Sequence, residues 1–144
     1  MRYPTAGSES ASESQPFYVN SPHGLSIVHN GNLINAQQLA EDLKATDLRH
    51  LNTASDSEVL LNVLAYELQR VGGTRLAVES LFQSIAAVYR RVKGAYAAVV
   101  MINGYGLLAF RDPNGIRPLV YGRKKTEHGY DYMIASETIA LRMS

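Results

Sequence analysis

The sequence predicts an α+β domain in which helices pack in layers on antiparallel strands. Three observations carry that expectation. One strand-like segment precedes three helical patterns, and a run of short apolar segments separated by Gly-, Pro- and Asn-rich turns follows them. Helical hairpins of this length need a sheet face on which to bury their apolar stripes. With 144 residues, 46% apolar and 19% charged, the chain suits one globular domain able to bury roughly 70% of its unfolded surface.

Residues 1–17 are rich in Ser, Ala, Gly and Glu, with little to bury, yet Arg2 stands at their start. Residues 24–28 read as a short strand, Leu25 and Ile27 alternating with Ser26. The cluster His29-Asn30-Gly31-Asn32 then reads as a turn. Asn35 and Gln38 have the spacing of a capping box for a helix over 36–45. A firmer signal is Ser55-Asp56-Ser57-Glu58, an S-x-x-E box followed by Leu60, Leu61, Leu64, Leu68 and Val71 at helical spacing, with Gly72-Gly73 as the stop. Thr74 is placed to cap a third helix presenting Val78, Leu81, Phe82, Ile85, Tyr89 and Val92 on one side. Arg90, Arg91 and Lys93 suit its C-terminal end.

From residue 95 the periodicity changes. Two apolar runs, 95–102 and 105–110, flank Asn103-Gly104, a strong hairpin signal. Asp112-Pro113-Asn114-Gly115 is a second turn, because Pro presets φ and Gly accepts positive φ. Strands at 118–121 and 132–135 enclose a polar loop over 124–131, and Ser136-Glu137 opens a last short helix.

Several classes of function are disfavoured. A net charge of +1 gives no electrostatic case for nucleic acid or an anionic membrane. No stretch approaches the ~20 apolar residues of a membrane helix, and no secretory signal is visible. There is no cysteine, which removes disulfides, thiolate metal sites and a cysteine nucleophile; the four His lie far apart, without metal-ligand spacing. A reduced, cytoplasmic setting is compatible with this composition.

Four places offer chemistry, each beside a plainer reading. Arg2-Tyr3-Pro4-Thr5 joins a guanidinium suited to clamping a carboxylate with a hydroxyl, or is a surface arginine on a terminus. Asn30-Gly31 at a strand end offers a side-chain amide and a backbone N–H to a developing oxyanion, or is simply a turn. Asp56 at a first helical position suits the helix dipole and equally suits an ammonium group. The Asp112 turn lies between Arg111 and Arg117, which turn chemistry does not explain; pairing with an acidic neighbour is the plainer account.

Together these pieces are specific. RYPTAG, HNGNL, TASDSE, GAYA, FRDPNGIRPL and IASET occur in the order and approximate spacing of one family. From Arg2 to about Leu141 the chain resembles the glutamine-using domain of the amidophosphoribosyltransferases, which make phosphoribosylamine from phosphoribosyl pyrophosphate and glutamine at the opening of purine synthesis. HNG alone is shared with other class II amidotransferases such as glucosamine-6-phosphate synthase, whereas RYPTAG and FRDPNGIRPL are far more restrictive. The resemblance implies an N-terminal-nucleophile hydrolase fold, a four-layer αββα sandwich. Residues 1–144 are then a partial type-2 glutamine amidotransferase domain lacking its N-terminal strands.

The resemblance also implies roles. Arg2 falls where the family's arginine binds the glutamine α-carboxylate, with Thr5 as a weaker substrate contact in the same loop. Asn30 and Gly31 fall on the oxyanion hole, and Asp56 on the carboxylate that receives the α-ammonium. RYPTAGSESASESQPF then resembles the loop that closes over bound glutamine. The family's N-terminal cysteine nucleophile has no counterpart here, so no glutaminase turnover is expected from this polypeptide alone. The alternative is a non-catalytic glutamine-binding or interaction module of the same ancestry. Expected partners are glutamine, the family's phosphoribosyltransferase domain and further copies in a homo-oligomer. No cofactor is expected in this chain, Mg²⁺ belonging only to the phosphoribosyltransferase domain. Ile139 stands where some members carry a cysteine iron–sulfur ligand, which suggests the cluster-free branch.

Overall fold

The computed structural model describes residues 13–72 and 75–142. The elements run β1 (Phe17–Val19), β2 (Leu25–Leu33), α1 (Ala36–Ala45), α2 (Asp56–Val71), α3 (Val78–Arg91), β3 (Gly94–Ile102), β4 (Gly106–Arg111), β5 (Val120–Thr126), β6 (Gly129–Ala135) and α4 (Thr138–Arg142). The first four strands form an antiparallel sheet in the order β1-β2-β3-β4, and β5 pairs with β6 as a second sheet of two strands. The fold is α+β, as the sequence predicts.

Strand alternation sorts the larger sheet into two faces. Phe17, Leu25, Ile27, Leu33, Tyr96, Ala98, Val100, Ile102 and Phe110 point to one side and are buried. Helix α2 packs on β1 and β2 there, flanked by α1 and α3, so it is enclosed far beyond a single stripe. Leu60, Leu61, Val63, Leu64 and Leu68 are all fully buried, each stabilising the fold by roughly 1.5–3 kcal/mol. The opposite face of the sheet leaves Tyr18, Val28, Met101 and Leu107 exposed. At the rim of the helical layer, Arg91 joins α3 to α2 through Glu67 (2.9 Å) and to the segment after α1 through Asp47 (2.6 Å).

Helices α1 and α2 and the β3–β4 hairpin match expectation, and four features differ. First, His29-Asn30-Gly31-Asn32 is not a turn: β2 runs through it and pairs with β3 along its whole length. Second, Asn35 does not close a capping box. Its amide receives a hydrogen bond from Lys93 N and donates to Arg91 O, tying α1 to the α3–β3 junction, while Gln38 bonds Asp42. Third, Val78 and Phe82 on the α3 stripe are exposed while Leu81, Ile85 and Val88 meet the core, so the buried face is narrower than the stripe. Its expected cap, Thr74, lies outside the described residues. Fourth, the polar 124–131 segment is a hairpin: β5 and β6 pair from Val120↔Ala135 to Thr126↔Gly129. A solvent-facing strand has no apolar alternation to betray it.

Candidate functional site

Strand β1 is only three residues long and pairs with β2 from Leu25 to Ile27. The remainder of β2, His29 to Leu33, therefore has β3 on one side and, among the described residues, no strand on the other. Consecutive residues of a strand turn their N–H groups to opposite edges. His29, Gly31 and Leu33 thus address the edge away from β3. Tyr96, opposite Gly31, fits this arrangement: its N–H and C=O both turn toward Asp112 rather than Gly31.

Side chains cap two of those three positions. The Gln15 carboxamide bonds both backbone groups of His29. The Asp56 carboxylate accepts from Leu33 N at 3.2 Å. Between them, no described side chain caps Gly31 N–H. Gly31 has φ 145°, and a Cβ there would lie 2.1 Å from Ala95 O and 2.6 Å from Tyr96 Cα. Glycine is required because the β3 backbone occupies the space, not because the chain turns. Asn30, one residue earlier, faces the open side of the sheet and is exposed.

Asp56 is the first residue of α2, after Ser55, whose hydroxyl accepts from Ser57 N. The helix N-terminus favours its negative charge. It is buried, with Oδ1 3.8 Å from His29 Nδ1. Ser57 Oγ is 2.9 Å from that same nitrogen. Ser57, His29 and Asp56 are therefore not a hydrolytic triad, which needs the base and the orienting carboxylate on different ring nitrogens.

The first turn of α2 is anchored by Glu58. Burial pushes this carboxyl up, but hydrogen bonds from the N–H and side chain of both Asn52 and Thr53 outweigh that and hold it below its usual range. The box residue thus reaches the loop before the cap rather than the cap's own N–H, which Thr53 Oγ1 takes.

The DPNG turn backs the site from behind. Burial opposes ionisation of Asp112, yet N–H groups of Ile116, Arg117, Tyr96 and Asn114 converge on it and lower its pKa. Burial pushes the Tyr96 phenol well up, with Tyr89 and Asp112 adding, so it stays neutral under the Gly31 strand. Among the described residues neither Arg111 nor Arg117 forms an ion pair; Arg111 instead lays its guanidinium against Gly115.

The structure thus sets Gly31 and Asp56 along one strand edge, the latter through its bond to Leu33 N, while Asn30 faces the open side of the sheet. Arg2 and Thr5 lie outside the described residues. Sequence reasoning missed Gln15, Ser57 and the anchoring role of Glu58. For Gln15 no signal existed without β1; for Glu58 the S-x-x-E spacing was the signal, read for the wrong partner. The described residues include no cluster of three or more His, Asp or Glu able to hold a metal, and no helix among them is long and apolar enough to cross a membrane.

Comparison with known proteins fits this geometry. The family described as glutamine amidotransferase domain matches residues 4–143, and the chain belongs to that family. Relatives within it are amidophosphoribosyltransferases. That of Pseudomonas aeruginosa is 55% identical over 141 residues, 98% of this chain and 28% of the relative. That of Schizosaccharomyces pombe is 57% identical over 141 residues, covering 98% and 26%. The Escherichia coli enzyme is 56% identical over 142 residues, covering 98% and 28%. The chain spans under a third of the length of these relatives. Among solved structures, the glutamine phosphoribosylpyrophosphate amidotransferase of B. subtilis, complexed with ADP and GMP, superposes with TM-score 0.66 at 29% identity, over 94% of this chain and 27% of that one. A predicted glutamine amidotransferase from Pseudomonas aeruginosa, at 17% identity and TM-score 0.57, covering 89% of this chain and 51% of that one, shares the fold. The α+β architecture is that of the N-terminal-nucleophile type found in the phosphoribosylpyrophosphate amidotransferases.

Proposed function

We propose that this chain supplies the glutamine-recognition surface of an amidophosphoribosyltransferase, the enzyme that opens purine synthesis. The observation that carries the reading is the β2 edge: Gly31 N–H lies between two capped positions, one of them capped by the Asp56 carboxylate. In this reading Asp56 takes the α-ammonium of glutamine, and a carboxylate has lone pairs to spare beyond its bond to Leu33. Arg2 takes the α-carboxylate through paired guanidinium N–H groups, with Thr5 beside it. The side-chain amide of Asn30 and the N–H of Gly31 receive the carboxamide oxygen, and bind it more tightly as it gains negative charge.

Hydrolysis also needs a nucleophile. The sequence contains no cysteine, and a methionine thioether cannot form an acyl-enzyme. Acyl transfer therefore draws its thiol from outside these 144 residues, and transfer of the released ammonia belongs to a phosphoribosyltransferase domain, where Mg²⁺ would serve the pyrophosphate. That domain, a homo-oligomeric assembly and a cytoplasmic setting complete the proposal. Calorimetric titration with L-glutamine tests it. Arg2→Ala and Asp56→Ala should each weaken binding by about tenfold or more, since each strands one charged end of the ligand. Unchanged affinity in both variants would remove the reading.

A further inference from the structure

The edge that holds Gly31 is completed by a side chain standing in for a strand. Phe17 pairs with Ile27, so the β1–β2 register continued by two residues sets Gln15 across from His29. There the carboxamide makes the bonds a backbone would make: Gln15 Oε1 accepts from His29 N at 2.7 Å, and Nε2 donates to His29 O at 2.9 Å. The same Nε2 donates to Ser57 Oγ at 3.2 Å, and Ser57 Oγ lies 2.9 Å from His29 Nδ1. One amide therefore fastens the β2 edge to the first turn of α2, the turn that also carries Asp56. Leu33, bonded to Asp56, fixes the same edge four residues further on. Gly31, at the centre of this span, has no side chain to hold it.

We infer that Gln15 is a positioning residue for the carboxamide of glutamine: it sets the Gly31 N–H relative to Asp56 and touches no substrate itself. This inference rests on the glutamine reading above. If the bracket opens, the two ends of the ligand keep their charged partners while the oxyanion donor loses its place. The effect is then specific to the carboxamide, which a general loss of stability cannot imitate.

The experiment uses the full chain with Gln15→Ala and Gln15→Glu; the glutamate keeps the acceptor oxygen and removes the amide donor. In Gln15→Ala, amide hydrogen exchange followed by NMR should quicken by about tenfold or more at His29, whose N–H loses its acceptor, while Val100, in the neighbouring strand, keeps its protection. Affinity is compared for L-glutamine and L-norvaline, which retains the ammonium and carboxylate but has no carboxamide. Both variants should lose about tenfold for glutamine and less than about twofold for norvaline. Asp56→Asn should weaken both ligands alike. Unchanged exchange at His29 in Gln15→Ala, or equal weakening of the two ligands in the Gln15 variants, overturns the inference. A wild-type chain that does not distinguish glutamine from norvaline overturns the glutamine reading instead, and exchange alone then decides whether Gln15 holds the edge.

Discussion

Asn-Gly occurs three times in this chain, and two of the occurrences have opposite fates. Asn103-Gly104 joins β3 to β4 in a tight hairpin, with Gly104 at φ 77° and open space around the Cβ it lacks. Asn30-Gly31 lies inside β2, at φ 145°, with the β3 backbone pressed against the α-carbon. The first pair turns because the strands on either side of it pair with each other, so its partners are local. The second is kept extended by Tyr96 and Ala97, about 65 residues further on. Glycine serves φ alone in the first case and both φ and space in the second. The dipeptide alone therefore does not decide between turn and strand; what the residues around it pair with does.

Gly31→Ala should produce the largest effect. No relaxation of a flexible side chain can relieve a contact of 2.1 Å with a backbone oxygen. Strands β2 and β3 must separate, at a cost of at least ~3 kcal/mol, read as a shift in the urea midpoint. A loss below about 1 kcal/mol would mean that the strand glycine is as replaceable as a turn glycine, and the contrast would collapse.

The third pair, Asn114-Gly115, lies in a turn like the first, but a buried carboxylate holds it. Asp112→Asn keeps one acceptor and turns an amide donor toward N–H groups, costing about 2 kcal/mol at pH 7. The acid dependence sharpens this. Asp112 has its folded pKa depressed, so its contribution is complete above the unfolded value near pH 4 and is lost as pH falls through the depressed one. Wild type and variant should therefore converge in stability below about pH 4, with Glu58 adding acid sensitivity of the same sign to both. Parallel pH profiles would show that the carboxylate charge is not what fixes the turn.

What the sequence made legible follows the same division between local and distant causes. The bounds of α2 could be read because its cap and apolar spacing are properties of neighbouring residues, whereas those of α1 matched although its expected capping box does not form. Asp56 could be placed at a helix start for that reason, but its bond to Leu33 N could not. Strand β1 was hidden by its three-residue length, and with it the register that gives Gln15 its place. The second half of β5, Arg123 to Thr126, read as loop because its residues face solvent and carry charge. The α3 stripe reads longer than its buried face because Val78 and Phe82 have the right spacing yet stay exposed. Motif resemblance supplied what local physics did not, by naming Asn30, Gly31 and Asp56 together; the structure sets Gly31 and Asp56 on one edge and Asn30 on the open face beside it.

Gly104→Ala is the smallest change and the cleanest control on the comparison. Its φ of 77° lies where an L-residue is strained, but no atom stands within 4 Å of the added carbon. The cost is then the backbone term alone, about 1 kcal/mol, partly offset because alanine also restricts the unfolded chain. The hairpin has a second support that the substitution does not touch, since Tyr105 N still bonds Ile102 O. Denaturant midpoints of the two glycine variants, measured side by side, should therefore differ by the steric term that only Gly31 carries. If Gly104→Ala proved the more damaging, the β3–β4 turn rather than the β2–β3 contact would be the point on which the sheet depends.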